Sequence, residues 1–475
     1  MKKSSGRGGK IWIIFGIIAL IVALVAVFFL NQINEKSALE NATSIIDIDN
    51  GDTKIDWDRF DDYEVELSET LEITKSGIYH LTGSLSDGNI IINVANGKIK
   101  LILDNVTIKN STGPAIACYA ADDLVIELIG ENNLSDGKSY DSSYDEDVSG
   151  AIYSKADLTF QGEGSLNLTA KYQDGIIGKD DVKFISGIYN ITASDDGIRG
   201  KDSVYIIGGN FTINAKGDGI KSTNENTTNK GFVLIEQGTI NISASDDGIH
   251  AYNRLIIYDG KINITKSYEG LEAQNIFITG GEVNIIASDD GINAGGGSNV
   301  ISTPVRPSNT RGGGPGEPQD PKADTNCVVE ISGGKIHVNS AGDGIDSNGY
   351  LNFKGGKVVV DGPINNGNGA LDAGVLISQT GGTVIAVGAA GMAESLGLTS
   401  SIYNASIYFT STQSAGTKIE IKNSNDEVII SHTSAKTFNH IAVGTPDFKS
   451  GETYNIYING KIYKSFTISS VTTKV

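Results

Sequence analysis

Ser194-Asp195-Asp196-Gly197-Ile198 decides how this chain folds, because it returns as Ser245-Asp246-Asp247-Gly248-Ile249 and as Ser288-Asp289-Asp290-Gly291-Ile292. Shortened copies are Asp174-Gly175-Ile176, Asp218-Gly219-Ile220, Glu269-Gly270-Leu271 and Asp343-Gly344-Ile345, with weaker relatives at Gly150-Ala151-Ile152 and Ala370-Leu371-Asp372. The apolar residue recurs at 152, 176, 198, 220, 249, 271, 292, 345 and 371, mostly in steps of 21 to 26 residues. A unit that small cannot bury a core alone, so such repeats stack on one another.

Outward from the turn, Val204 and Ile206 alternate with Tyr205 and Ile207, and Gly208-Gly209 turns the chain. Phe211, Ile213 and Ala215 alternate with Thr212 and Asn214 before Gly217-Asp218-Gly219 turns it again. Period-two alternation of β-branched and aromatic residues between glycines marks short strands. About three strands per coil, with coils stacking about 4.8 Å apart, predict a parallel β-helix over 65–390. Each repeat position then becomes a ladder running along the stack.

The 475 residues carry 59 glycines, 8 prolines and a net charge of -20. That charge excludes nucleic acid as a partner and suits cation binding. Cys118 and Cys327 read as packed thiols. Residues 1–10 are basic, and Ile11 to Leu30 is an unbroken run of apolar residues and glycine, long enough to span a bilayer. The run has no cleavage site, so it predicts an uncleaved single-pass transmembrane helix. On that reading 31–64 is a tether and the bulk of the chain lies at the cell surface. After Thr383 the repeat fades; 391–475 predict a cap, with a short helix near 388–398, and a small β-sandwich-like domain.

Three repeats are stretched by insertions: Ser135 to Ser149, Asn224 to Lys230, and the Gly/Pro-rich Gly295 to Thr325. All flank the short strand that begins at Ile198 in the reference repeat, and loops gathered on one face wall a site.

The turn acids Asp174, Asp196, Asp218, Asp247, Glu269, Asp290 and Asp343 share one repeat position. Stacked in register, neighbouring carboxylates repel by about 1 kcal/mol per pair in water. Calcium, a hard cation taking oxygen ligands, would offset this. The candidate metal ligands are Asp195, Asp196, Asp218, Asp246, Asp247, Asp289, Asp290 and Asp343. A plainer account is that Asp-Gly is good turn chemistry, with glycine at positive φ. One residue past the isoleucine an outward column reads Arg199, Lys221, His250, Glu272, Asn293, Asp346, Asp372, grading from basic to acidic. Arg199, Lys221, His250 and Glu272 are the candidate carbohydrate-binding residues. A second outward column, Asn167, Asn190, Asn241, Asn263 and Asn284, reads as a structural amide ladder.

The repeated Ser-Asp-Asp-Gly-Ile turn, the pre-turn pattern Gly-x-Ile-Asn-Ile-x-Ala, the Gly-rich insertion and the N-terminal apolar run resemble the carbohydrate-binding β-helix proteins of clostridial and related bacterial surfaces. The resemblance covers about 65–390. It implies a right-handed, pectate-lyase-like parallel β-helix, calcium at Asp195, Asp196, Asp246, Asp247, Asp289 and Asp290, and binding of cellulose or pectin-like polysaccharide. Two alternatives stay open. A calcium-dependent lyase would need a base, for which Lys179, Lys201, Lys221 and Arg199 are candidates. A structural surface stalk would bind no sugar.

Overall fold

The computed structural model describes residues 55–227, 229–295 and 324–475. They form a 37-stranded sheet and a separate four-stranded sheet. Among them the only helical segment is one 3-10 turn at Trp57–Arg59.

The repeat builds the large sheet coil by coil. Ile198–Gly200 lies between Asp174–Gly178 and Ile220–Ser222, parallel to both, with Ile176, Ile198 and Ile220 in line. Ser203–Ile206 pairs in the same way with Asp181–Phe184 and Phe232–Ile235. Asn210–Asn214 pairs with Ile188–Ala193 and Thr239–Ser243. Three parallel ladders therefore run past one interior. Val204, Ile206, Phe211, Ile213 and Ile220 point into it, each at most 1% exposed. Each such side chain contributes about 2 kcal/mol by leaving water. Like stacks on like inside: Phe160 on Phe184 at 4.9 Å and Tyr189 on Phe211 at 4.8 Å.

The turn glycines act through space rather than through φ. None of Gly197, Gly219 and Gly248 lies in the left-handed region. A Cβ on Gly219 would sit 2.5 Å from the Gly248 carbonyl oxygen, and one on Gly248 would sit 2.6 Å from that of Gly270. Any side chain here would push the coils apart. The positive-φ glycines, such as Gly209 and Gly238, occupy the other turn.

Sequence expectations are corrected at both ends of the chain. The sheet is mixed rather than wholly parallel. Thr383–Gly388 pairs antiparallel with Phe438–Gly444, which pairs antiparallel with Asn404–Gln413. These strands cover the edge that the last coil would otherwise leave open. Ile385 and Val387 of the last coil share a core with Ile407, Ile441 and Val443. The expected helix at 388–398 is absent; that stretch is turns and bends. The four-stranded antiparallel sheet, Lys418–Lys422, Val428–Thr433, Thr453–Ile458 and Lys461–Thr467, adds to the same end.

At the other end, the correction concerns the N-terminus. Among the described residues no helix is long and apolar enough to cross a membrane. Ile11 to Leu30 lies outside the described residues, and hydropathy alone had carried the reading. The single-pass anchor and the cell-membrane location built on it are withdrawn.

Candidate functional site

The turn acids form a relay from coil to coil. The backbone N–H of Asp196 donates to Asp174 Oδ1 at 3.2 Å, that of Asp218 to Asp196 Oδ1 at 2.8 Å, and that of Asp247 to Asp218 Oδ1 at 2.9 Å. Glu269 N–H donates to Asp247 Oδ1 at 3.2 Å, Asp343 N–H to Asp290 Oδ1 at 2.6 Å, and Gly369 N–H to Asp343 Oδ1. One oxygen of each aspartate thus satisfies the turn of the next coil, which is why the residue must be short and acidic or amide-like. Glu269 is too long for this geometry, and its Oε2 accepts from Asn293 Nδ2 at 3.0 Å instead.

The second oxygens meet the outward column. Ile91, Ala117, Tyr153, Ile177, Arg199, Lys221, His250, Glu272, Asn293, Asp346 and Asp372 are successive cross-strand neighbours. Arg199 Nη2 lies 2.8 Å from Asp174 Oδ2 and its Nη1 3.8 Å from Asp196 Oδ2. Lys221 Nζ pairs with Asp218 Oδ2. His250 Nδ1 sits 3.2 Å from Asp247 Oδ2 and 2.7 Å from Glu272 Oε2. The predicted carbohydrate-binding cations are therefore spent on the chain's own acids.

Electrostatics follow this placement. Burial pushes Asp174 up to about 7 despite Arg199, and pushes Asp196 up to about 6, helped by Asp218. Burial works against the charged forms of Lys221 and His250, yet their acidic partners win. Lys221 moves above the usual lysine range, and His250 rises to about 10 through its hydrogen bonds to Asp247 and Glu272. Lys221 is thus poorly disposed to take a proton as a lyase base. Lys179 lies 3.6 Å from Asp147 and 5.9 Å above the Tyr153 ring, Arg199 is ion-paired, and Lys201 is exposed.

Past His250 the column reads Glu272, Asn293, Asp346 and Asp372, with no base among them. One oxygen from each of Asp290, Asp343 and Asp346 falls within a 4.8 Å group. No ion pair among the described residues involves these three. Burial, then neighbouring carboxylates, pushes Asp290 up to about 7 and Asp346 to about 8. Asp343 is pushed up to about 6, chiefly by burial. Glu269 rises to about 9 by burial and then Glu272. Glu394, from the segment after the last coil, reaches Asp372 and is pushed up to about 7 by burial and that neighbour. Between the two acid groups, Asn293 Oδ1 is buried without a hydrogen-bond partner.

These observations test the fit of calcium to the predicted ligands. Asp196, Asp218 and Asp247 also fall in 4.8 Å groups of possible ligand atoms, but there one oxygen holds a backbone N–H and the other faces an Arg, Lys or His, so a cation would have to displace a resident positive group. Asp195 and Asp246 sit exposed at the turn edge. Asp290 and Asp343, joined by Asp346, fit: they offer clustered carboxylate oxygens, with the orphaned Asn293 Oδ1 in the coil of Asp290 and cross-strand from Asp346. Asp289 precedes Asp290 on the same turn. Sequence reading passed over Asp346 as a ligand although it stood in the outward column. It missed Glu394 because that residue lies outside every repeat.

The flanking loops do unequal work. Tyr140, Tyr144 and Val148 of the first insertion pack with Tyr119, Tyr153 and Ile177 and close the apolar end of the column. In the second, Lys230 Nζ and Asn224 Nδ2 bind Asp202, beyond the short strand. Most of the third, 296–323, lies outside the described residues. The asparagine column carries amide-to-amide hydrogen bonds in two runs separated by Thr212: Asn190 Nδ2 donates to Asn167 Oδ1 at 2.9 Å, and Asn263 Nδ2 to Asn241 Oδ1 and Asn284 Nδ2 to Asn263 Oδ1 at 3.0 Å.

The family described as carbohydrate-binding domain-containing protein matches residues 68–305, half of the chain. A carbohydrate-binding domain-containing protein of Acetivibrio thermocellus is 32% identical over 157 residues, 32% of this chain and 52% of that protein. The chain thus spans about half the length of that curated relative. A solved structure, a polysaccharide lyase-like protein from C. thermocellum as a gadolinium derivative, is 31% identical. The match covers 48% of this chain and 88% of the solved one, with a TM-score of 0.40.

Proposed function

The chain belongs to the family of carbohydrate-binding domain-containing proteins, and from that premise we propose that it binds an acidic, pectin-like polysaccharide with calcium seated at the acidic end of the outward column. The observation that carries this reading is the group of Asp290, Asp343 and Asp346, within 4.8 Å and without a described basic partner, beside the orphaned Asn293 Oδ1. Calcium takes 6 to 8 oxygens and prefers this donor set. A uronate polymer would otherwise be repelled by a protein of net charge -20. Calcium supplies the positive charge; the carboxylates hold it, and Asn293 offers a neutral oxygen. Arg199 and Lys221, ion-paired to Asp174 and Asp218, compensate the turn acids rather than reach for the polymer.

The test is binding to polygalacturonate with calcium and with chelator. The double change Asp343→Asn with Asp346→Asn should lower affinity at least tenfold in calcium, to the level that chelator gives the unaltered chain. Equal binding in calcium and chelator would overturn the reading.

A further inference from the structure

The geometry points to a second sugar-binding surface on the edge of the turns, shaped for a neutral, extended glycan running along the stack. The inference rests on the reading of this chain as a carbohydrate binder, and it concerns residues outside the calcium group.

Backbone bonds define this edge. Asp195 N–H donates to Gln173 O, Gly217 N–H to Asp195 O, Asp246 N–H to Gly217 O, and Tyr268 N–H to Asp246 O. Gln173, Asp195, Gly217, Asp246 and Tyr268 are therefore one position in five successive coils. Tyr172 precedes the first of them, and past Tyr268 the same column runs on through Asp289 and Gly342. Among the described residues before 400, Tyr172 and Tyr268 are the aromatic side chains more than a third exposed, at 37% and 42%. Tyr172 is set in place by stacking on Tyr140 at 4.4 Å. Tyr268 is set by a hydrogen bond to Asp289. Four coil steps separate them, about 19 Å at about 4.8 Å per coil, and each step is close to the length of one pyranose in an extended chain.

Between the tyrosines the floor is Asp195, Gly217 and Asp246. Both carboxylates are exposed and can accept hydroxyl hydrogens, a charge-assisted bond suited to sugar hydroxyls. Gly217 keeps the middle open: a Cβ there would lie 2.6 Å from Asp195 Oδ1 and 2.5 Å from Asp196 Oδ1. Aromatic faces at both ends stack on the apolar faces of sugar rings. A uronate would set its carboxylate against Asp195 and Asp246, so this edge selects a neutral glycan.

The experiment titrates the full chain, in chelator, with a β-1,4-linked glucan hexasaccharide and with the corresponding disaccharide. Tyr172→Ala and Tyr268→Ala should each weaken hexasaccharide binding roughly fivefold, with melting temperature unchanged. Tyr172→Phe should bind as the unaltered chain does, and Tyr268→Phe, which keeps the ring but loses its hydrogen bond to Asp289, should fall between the unaltered chain and Tyr268→Ala. The disaccharide, too short to reach both rings, should bind far more weakly. Hexasaccharide affinity that ignores both alanine changes overturns the proposal. Calcium-dependent binding of oligogalacturonate in the same samples separates this failure from failure of the wider reading: if it persists, only the ridge falls, and if no sugar binds, both fall.

Discussion

The same ladder of turn acids is built twice in this molecule. From Asp174 to Asp247 every turn acid has a cation within reach: Arg199 from the next coil for Asp174, and Arg199, Lys221 and His250 from their own coils for Asp196, Asp218 and Asp247. From Asp290 to Asp346 no such cation pairs with the acids among the described residues; burial lifts acids in both halves, Asp174 to about 7 and Asp196 to about 6 as well as Asp290, Asp343 and Asp346, so the difference lies in the partner. The backbone is alike in both halves, and the relay of side-chain oxygen to backbone N–H runs through both. One residue per coil, at the position after the isoleucine, decides whether the ladder is neutral within itself or needs a charge from outside. A repeat fold can thus keep its architecture and place a binding function at one end by changing a single column.

The sharpest way to break this comparison is to remove a cation from the neutral half. Lys221→Ala leaves Asp218, fully buried, without its ion-pair partner. The expected loss is about 3 kcal/mol in urea unfolding at neutral pH, since an uncompensated buried charge is costly. A loss below about 1 kcal/mol would mean that the cations are not compensating the ladder.

Calcium should act on the other half alone. At a hundredfold excess over its dissociation constant it should stabilise the chain by about 2.7 kcal/mol, read as a rise in melting temperature over chelator. Asp290→Asn with Asp346→Asn should erase the rise, whereas Asp196→Asn should leave it. A response that follows Asp196 instead would place the ion in the wrong half.

The subtlest test is the pH profile of His250. Its folded pKa of about 10 stands above the usual 6.5, so its contribution is complete below about 6.5 and is lost as pH climbs towards 10. The unaltered chain should therefore lose stability across that window. His250→Gln should be less stable at pH 6.5, by about 2 kcal/mol, and should show a flatter profile to pH 10. Parallel profiles would show that His250 is not held charged by Asp247 and Glu272.

Much of the architecture was readable because it rests on periodicity. The spacing of Ile176, Ile198, Ile220 and Ile249 is the register in which those residues pair. The acid ladder and the asparagine ladder were readable for the same reason. Other features depend on what a side chain meets in three dimensions. Arg199 and Lys221 looked like outward grips, but three residues back along the chain or one coil below stands an acid whose second oxygen is nearer than any ligand. The turn glycines looked like positive-φ residues, and the carbonyl of the next coil explains them instead. Glu394 could not be found by repeat counting, because the edge-covering segment, not the repeat, brings it to Asp372. The antiparallel cover of the last coil was hidden because alternation shows a strand but not the direction of its neighbour.

The relay also bears on how long such a chain can be. Apart from the coil of Glu269, a coil of the ladder both gives an N–H to the acid behind it and offers an acid to the N–H ahead. A coil duplicated in the middle brings one donor and one acceptor and leaves no bond unmade, so length is free to drift. The two ends are not equivalent. Loss of a coil from the C-terminal side strands a buried carboxylate, whereas loss from the N-terminal side strands only an amide. Shortening from the C-terminal side is the harder path, and a lineage of such chains would be expected to vary in size mainly by gain or loss away from its sealed end.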